Sequence, residues 1–342
     1  MEEIKPSIDD WKSLYGVAIE FKKLECWNWM SDSDIFGIQN PYDNEIGYCC
    51  VLGKNEEFFG LAVYIGAEGL KAYLLVKEGE LFPGSMESLI AQKCLMISYE
   101  DRQVLTDKDR DIIKELGLKF RGRKEWPFFR TYDPGYHPWY LNKTQVLYLI
   151  LVIQKAIDIA IEFKKDSKYL GSREGNKVPV WIPKKTDSDW TWENKLVEVK
   201  IPKGIIMVFA ELEKATVDHI KSVIKGKGNP WEIDSIVIPM AMSEKMGERP
   251  FYPYMLFVVD SDSQLVLGTG ISDFWDHSNE LVEIFLSTIG NLQILPSEIY
   301  VRSQEVYELL RVVAKQLGIK ITPKDDLPAI EKILSSTMDR LF

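Results

Sequence analysis

Between Cys26 and Gly66 the chain reads CWNWMSDSDIFGIQNPYDNEIGYCCVLGKNEEFFGLAVYIG, and this stretch restricts the fold more than any other. Three short apolar runs, Ile35 to Ile38, Ile46 to Leu52 and Phe58 to Ile65, are rich in β-branched and aromatic residues. Asn40-Pro41-Tyr42-Asp43-Asn44 and Gly53-Lys54-Asn55 separate them with turn chemistry. Short β-formers punctuated in this way predict an antiparallel meander, and the N-terminal half is built on it.

Helical spacing flanks the meander. Trp11 to Met30 places Leu14, Tyr15, Ala18, Ile19 and Phe21 on one side, with Asp9 or Asp10 as the expected N-cap. Gly66 to Lys77 and Thr106 to Leu116 read as helices, and Gln92 to Tyr99 as a fourth strand. The run VLYLILVI, Val146 to Ile153, falls well short of the roughly 20 apolar residues that span a bilayer. Gln154, Lys155 and Asp158 follow it at once, so the reading is a buried helix from Lys143 to Lys165 and no membrane segment. From Lys119 to Tyr140 a basic, aromatic surface loop is expected, because Pro134, Gly135 and Pro138 oppose a helix or a central strand.

At 342 residues two domains are the default. The polar, Gly- and Pro-containing stretch Asp166 to Trp192 marks the change of character. The expected plan is an N-terminal α+β domain over 1–170, a linker over 171–192 and a C-terminal mixed α/β domain over 193–342. In the second half, strands are expected at Leu196 to Ile201, Ile205 to Ala210, Ile233 to Met240, Met255 to Val259, Leu265 to Ile271 and Glu298 to Arg302. Helices are expected at Ala215 to Ile224, Asn279 to Ile289, Gln304 to Leu317 and Leu327 to Leu341. The fold class is therefore α+β.

A net charge of -10 argues against a surface broadly made for DNA or anionic lipid, leaving room only for a local basic patch. Four cysteines without a Cys-x-x-Cys pair fit a reduced, cytoplasmic protein, and the acidic start MEEIKPSIDD is no signal peptide.

The run WNWMSDSDIFG, Trp27 to Gly37, continuing through GYCCVLG and FGLAVYIGAEGL, resembles a family of uncharacterised bacterial proteins. In that family one domain of unknown function precedes another. The resemblance implies the two-domain plan and brings no activity, cofactor or site residue with it.

Three constellations bear on chemistry. Asp32, Asp34, Gly37 and Asp43 fall at the first, third, sixth and twelfth places of a calcium loop, but Phe36 fills the fifth and a strand follows. A turn capped by carboxylates is the better reading, and no metal is expected there. Asp260 and Asp262 lie between the strands Met255 to Val259 and Leu265 to Ile271, where two carboxylates can hold Mg²⁺ or Mn²⁺. The order hairpin, helix, strand, helix is similar to ribonuclease H-like nucleases. That resemblance implies a further acid beside Glu298 to Val301, where this chain has Arg302, and a last one from Asp325, Asp326 or Glu331. The third constellation is the loop, where Lys119, Arg121, Arg123 and Lys124 precede Trp126, Phe128, Phe129, Arg130, Tyr132, Tyr136, His137, Trp139 and Tyr140. Cations beside rings are what single-stranded nucleic acid binding uses.

His137, His219 and His277 are far apart in sequence, and no Gly-x-Ser-x-Gly occurs. Gly226-Lys227-Gly228 follows a helix, so it reads as a turn and not as a phosphate loop. The expectation is a binding protein without cofactor, whose ligand, a protein or a single-stranded nucleic acid, meets Arg121, Arg123, Tyr132, Tyr136, His137 and Trp139. Phe128 and Phe129 should point inward. The alternative is a metal-dependent nuclease or phosphoryl-transfer enzyme using Asp260 and Asp262.

Overall fold

The computed structural model describes residues 4–54, 58–171, 177–186, 190–199, 211–245 and 247–341. They fall into two compact units, dividing after position 202. The fold is α+β in both, with helices and mixed sheets.

The first unit contains, in chain order, α1 (Ile8–Leu24), β1 (Phe36–Gln39), β2 (Ile46–Leu52), β3 (Gly60–Ile65), α2 (Gly66–Lys77), α3 (Met86–Ile90), β4 (Cys94–Glu100), α4 (Asp107–Glu115), β5 (Trp126–Tyr132), α5 (Lys143–Lys165), β6 (Lys177–Lys185) and β7 (Trp190–Glu198). Its sheet runs β5-β4-β3-β2-β1-β6-β7. β1, β2 and β3 are the expected antiparallel meander, β4 adds the expected fourth strand, and β5 extends it by one more antiparallel strand. Period-two alternation sorts its side chains into two cores. Cys49 and Val51 join Leu61, Ile97 and Phe36 beneath α1 and α5, where Leu14, Ala18, Phe21, Leu149, Val152 and Ile153 are buried. Tyr48, Cys50 and Ala62 face the other way, onto Leu70 and Tyr73 of α2. Each fully buried aliphatic side chain contributes about 1.5–3 kcal/mol.

Two local details differ from expectation. The N-cap of α1 is Ser7, whose Oγ accepts from the Asp10 N–H at 3.2 Å while Asp10 Oδ2 accepts from the Ser7 N–H at 2.7 Å. Asp10 thus sits at the third helical position of a capping box instead of capping the helix itself. The segment expected as a loop over 119–140 contains an edge strand, β5, and an edge tolerates Pro127 where a central position would not.

A larger difference concerns 171–192, expected as a linker. It contains β6 and the start of β7; β6 lies parallel to β1 through Gly37↔Val180 and Ile38↔Trp181, and β7 pairs with it along its whole length. Pro179 and Pro183 are four apart, so their missing N–H groups fall on one side of the strand and the other side keeps its donors. The strand expected at Leu196 to Ile201 begins inside β7, on the first unit's sheet. The strand expected at Ile205 to Ala210 lies outside the described residues.

The second unit contains α6 (Lys214–Val223), β8 (Gly226–Gly228), β9 (Trp231–Val237), β10 (Tyr254–Asp260), β11 (Val266–Ser272), α7 (His277–Leu292), β12 (Ile294–Pro296), β13 (Glu298–Val301), α8 (Gln304–Leu317), β14 (Lys320–Pro323) and α9 (Pro328–Leu341). Its main sheet runs β11-β10-β9-β13-β14. The hairpin β9–β10–β11 is antiparallel, while β13 lies parallel to β9 and β14 parallel to β13. Trp231, buried and edge-on to Phe285 of α7, marks one face. On the other, Phe257 and Val259 pack against Leu327, Ala329 and Ile330. Gly226 to Gly228, expected as a turn, forms a short strand parallel to β12.

Candidate functional site

Arg121 and Arg123 stand exposed on the loop that leads into β5, and they line a cleft of about 550 Å³ with Asp101, Arg102, Gln103, Gly122 and Trp126. The loop is shaped by local chemistry. Asp101 Oδ1 accepts from the Lys124 N–H at 2.8 Å, and its Oδ2 lies 3.7 Å from Arg123 Nε. Gly122 has φ 107°, in the left-handed region that favours glycine. Lys22 Nζ donates to the Lys124 carbonyl at 2.8 Å and closes the loop against α1. The guanidinium of Arg102 lies 6.0 Å from the Trp126 ring centroid. Three guanidinium groups and an indole therefore surround this cleft, with Asp101 as its one carboxylate. Such an arrangement attracts an anion and offers a ring surface to stack on.

The remaining loop residues lie elsewhere. β5 separates Tyr132 from the arginines by its own length, and Tyr132 lines a different cavity of about 370 Å³ with Asn40, Lys93, Asp133, Asn142 and Gln145. Trp139 is held by a two-way backbone pairing with Thr131, its N–H donating to the Thr131 carbonyl and its carbonyl accepting in return, both at 2.9 Å. Its ring is edge-on to Tyr140 at 5.1 Å. Tyr136 is half-buried, and His137 is exposed with Nδ1 3.0 Å from the Pro138 carbonyl. The structure thus brings Arg121 and Arg123 together with Trp126, and does not bring them to Tyr132.

Phe128 and Phe129 were both expected to point inward, but neighbours on a strand take opposite faces. Phe129 is buried edge-on to Tyr15 at 5.1 Å. Phe128 takes the other face of the strand, half-buried, with the Arg130 guanidinium 3.8 Å from its ring centroid, and it still packs against the same core. Arg130 is itself buried and donates to both carboxylate oxygens of Asp109, at 2.9 and 2.7 Å. That arginine holds α4 to β5 and offers nothing to a ligand.

Asp260 ends β10 and Asp262 lies on the exposed turn that follows. Asp260 Oδ1 accepts from the N–H groups of Asp262 at 3.1 Å and Ser263 at 2.8 Å, and Asn229 Nδ2 donates to both its oxygens at 3.2 Å. Burial pushes its carboxyl upward, but the donors from Ser263, Asn229 and Asp262 outweigh it and hold the group below the usual carboxylate range. In the loop before β1, Asp34 Oδ2 accepts from the N–H and Oγ of Ser31, both at 2.8 Å, as a carboxylate capping a turn does. Among the described residues no cluster of three His, Cys, Asp or Glu side chains could hold a metal ion.

Sequence reading missed the part played by Arg102, and it missed two buried acids, Glu232 and Asp234. The available signal was the run Trp231-Glu232-Ile233-Asp234, in which acids alternate with large apolar residues on a strand. One face of that strand then buries carboxylates, and each must find a partner.

No helix among the described residues is long and apolar enough to cross a membrane. A search of curated proteins finds no match. Sequence models of two domain families do match: a domain of unknown function (DUF7309) over residues 11–180, and a domain of unknown function (DUF6930) over residues 216–338. The first takes in the meander, α5 and the start of β6; the second takes in the five-stranded sheet and its helices. The chain is a two-domain protein that joins a DUF7309 domain to a DUF6930 domain.

Proposed function

We propose that the protein acts by binding, and that its N-terminal unit takes an anionic, ring-bearing ligand of the single-stranded nucleic acid type in the cleft of Arg102, Arg121, Arg123 and Trp126. The observation that carries this reading is the composition of the cleft, three guanidinium groups and an indole around about 550 Å³ in a chain of net charge -10. A local basic patch on an acidic molecule is an electrostatic funnel, and a half-buried indole beside it supplies a stacking platform. Titration of a fluorescently labelled single-stranded oligonucleotide, read by anisotropy, is the test. The double variant Arg121→Ala/Arg123→Ala weakens binding at least about tenfold, each lost charge-assisted contact being worth about 1.5–3 kcal/mol. Equal affinity in the double variant, or no binding by the native chain, defeats the proposal. The setting we propose is a bacterial cytoplasm; four buried free thiols among the described residues support a reducing compartment.

A metal-dependent nuclease using Asp260 and Asp262 is the second reading. In its favour, Asp260 ends a strand whose antiparallel neighbour is β11, with β13 in the same sheet, as a ribonuclease H-like arrangement requires. Against it, the Asp260 carboxylate is already occupied by its own turn. Mn²⁺-dependent cleavage of nucleic acid that vanishes in Asp260→Asn would reverse the order of the two readings.

A further inference from the structure

Glu232 and Asp234 stand two apart on β9, so both project toward the face that α9 covers. The Glu232 carboxylate is fully engaged: Oε2 accepts from the N–H groups of Ala329 at 2.9 Å and Ile330 at 3.0 Å, in the first turn of α9, and Oε1 accepts from Ser261 Oγ at 3.1 Å. Asp234 Oδ1 accepts from the Ser235 N–H at 3.0 Å, and Oδ2 from an Arg302 terminal nitrogen at 2.7 Å. Arg302 directly follows β13, where the parallel register Tyr300↔Glu232 places position 302 beside Asp234. Its other terminal nitrogen lies 3.6 Å from Glu331 Oε1 on α9. One guanidinium thus bridges an acid from a central strand and an acid from the final helix.

We propose that Arg302 is a tethered cation in a carboxylate site of divalent-metal form, and that its guanidinium keeps Mg²⁺ or Mn²⁺ out of the sheet face between Asp234 and Glu331. The chemistry of the donor set carries this. A hard divalent cation is held in such sites by one or two carboxylates and water, and these two acids, supplied from β9 and α9, converge on one positive charge. A metal ion added beside Arg302 would place two cations within a few ångströms of each other in a partly buried site, where repulsion is least screened. The residues present therefore do not fit a bound metal. The ribonuclease H-like resemblance ends at the strand arrangement on this face, because the position where it implies an acid carries the guanidinium.

The test is Mn²⁺ titration of the full chain, with free Mn²⁺ read by electron paramagnetic resonance. Five proteins are compared: native, Asp234→Asn, Arg302→Ala, Arg302→Gln, and Arg302→Ala/Asp234→Asn. The expected result is no Asp234-dependent uptake by the native chain, about one equivalent taken up by Arg302→Ala, and loss of that equivalent in the double variant. Arg302→Gln keeps side-chain bulk and a hydrogen-bond donor to Asp234 while removing the charge; it should gain the same uptake, and it serves if Arg302→Ala does not fold. Native uptake that disappears in Asp234→Asn overturns the proposal. So does a folded Arg302→Ala or Arg302→Gln protein that takes up no more Mn²⁺ than the native chain. Neither outcome bears on the N-terminal cleft.

Discussion

Arg130 and Asp109 are an ion pair sunk in protein, with side chains 7% and 10% exposed. Burial alone would raise the Asp109 carboxyl, but the two-pronged contact with Arg130 and the bonds from Thr106 hold it below its ordinary value. The folded state therefore binds this proton more weakly than the unfolded chain does. Its stabilisation is present above the unfolded carboxylate value, about 3.9, and is lost as pH falls through the lower folded value. Asp234 has the opposite sign, because its folded value is raised and the penalty on its charged form is relieved as pH falls. Arg130→Ala should cost about 3–5 kcal/mol, since it leaves a buried carboxylate without its cation. In urea titrations below about pH 4, Asp109→Asn should lose acid sensitivity that the native protein retains. An unchanged acid slope in Asp109→Asn would show that the pair is not coupled to folding. The thiols make a second residue-scale case. Burial pushes Cys26 and Cys50 up to about 12 and raises Cys49 and Cys94 as well. At pH 8 an aromatic disulfide reagent should label them only in denaturant, because the thiolate is the reactive form. Rapid labelling of the native protein would contradict the packing described.

Among the elements, the central meander was legible because its signals agree: short β-rich runs, turn residues between them and alternation along each strand. The helix α5 was legible for the same reason, its apolar run Val146 to Ile153 continuing at helical spacing to the basic last turn of Lys164 and Lys165. The strands β6 and β7 were not. Two prolines and a run of lysines in KVPVWIPKK imitate a linker, and only the parity of Pro179 and Pro183 reconciles them with a ladder. For the sites, acidity at a strand end drew attention to Asp260, but sequence does not show which carboxylates a turn has already occupied. Asp234 was hidden because its meaning depends on Arg302, 68 residues away, and on the register of β13. Packing of α5 on the meander is testable at Gly47. A Cβ there would lie 2.2 Å from Tyr148 Oη and 2.6 Å from Val63 Cγ1. Tyr148 donates to the Ile38 carbonyl at 2.7 Å and has little freedom to move aside. Gly47→Ala should therefore destabilise the unit by about 1–3 kcal/mol in urea titration. A neutral effect would mean that α5 shifts freely over the sheet.

At the scale of the whole molecule, two units of different construction share one chain and divide its chemistry. The N-terminal unit carries a cleft of guanidinium groups, while the C-terminal unit sets its buried acids against a guanidinium of its own. Arg102, Arg121 and Arg123 of the cleft are exposed, so their substitution should leave the fold intact; the buried acids lie beneath α9 and are part of how that helix is held. The most direct measurement on the cleft is the salt dependence of oligonucleotide binding in native protein and in Arg121→Ala/Arg123→Ala. For a single strand each phosphate neutralised contributes about 0.7 to the slope of log affinity against log salt. If Arg121 and Arg123 each meet a phosphate, the double variant should show a slope shallower by about 1.4 as well as weaker binding. A slope unchanged by removing both arginines would place the ligand elsewhere and contradict the account of the cleft.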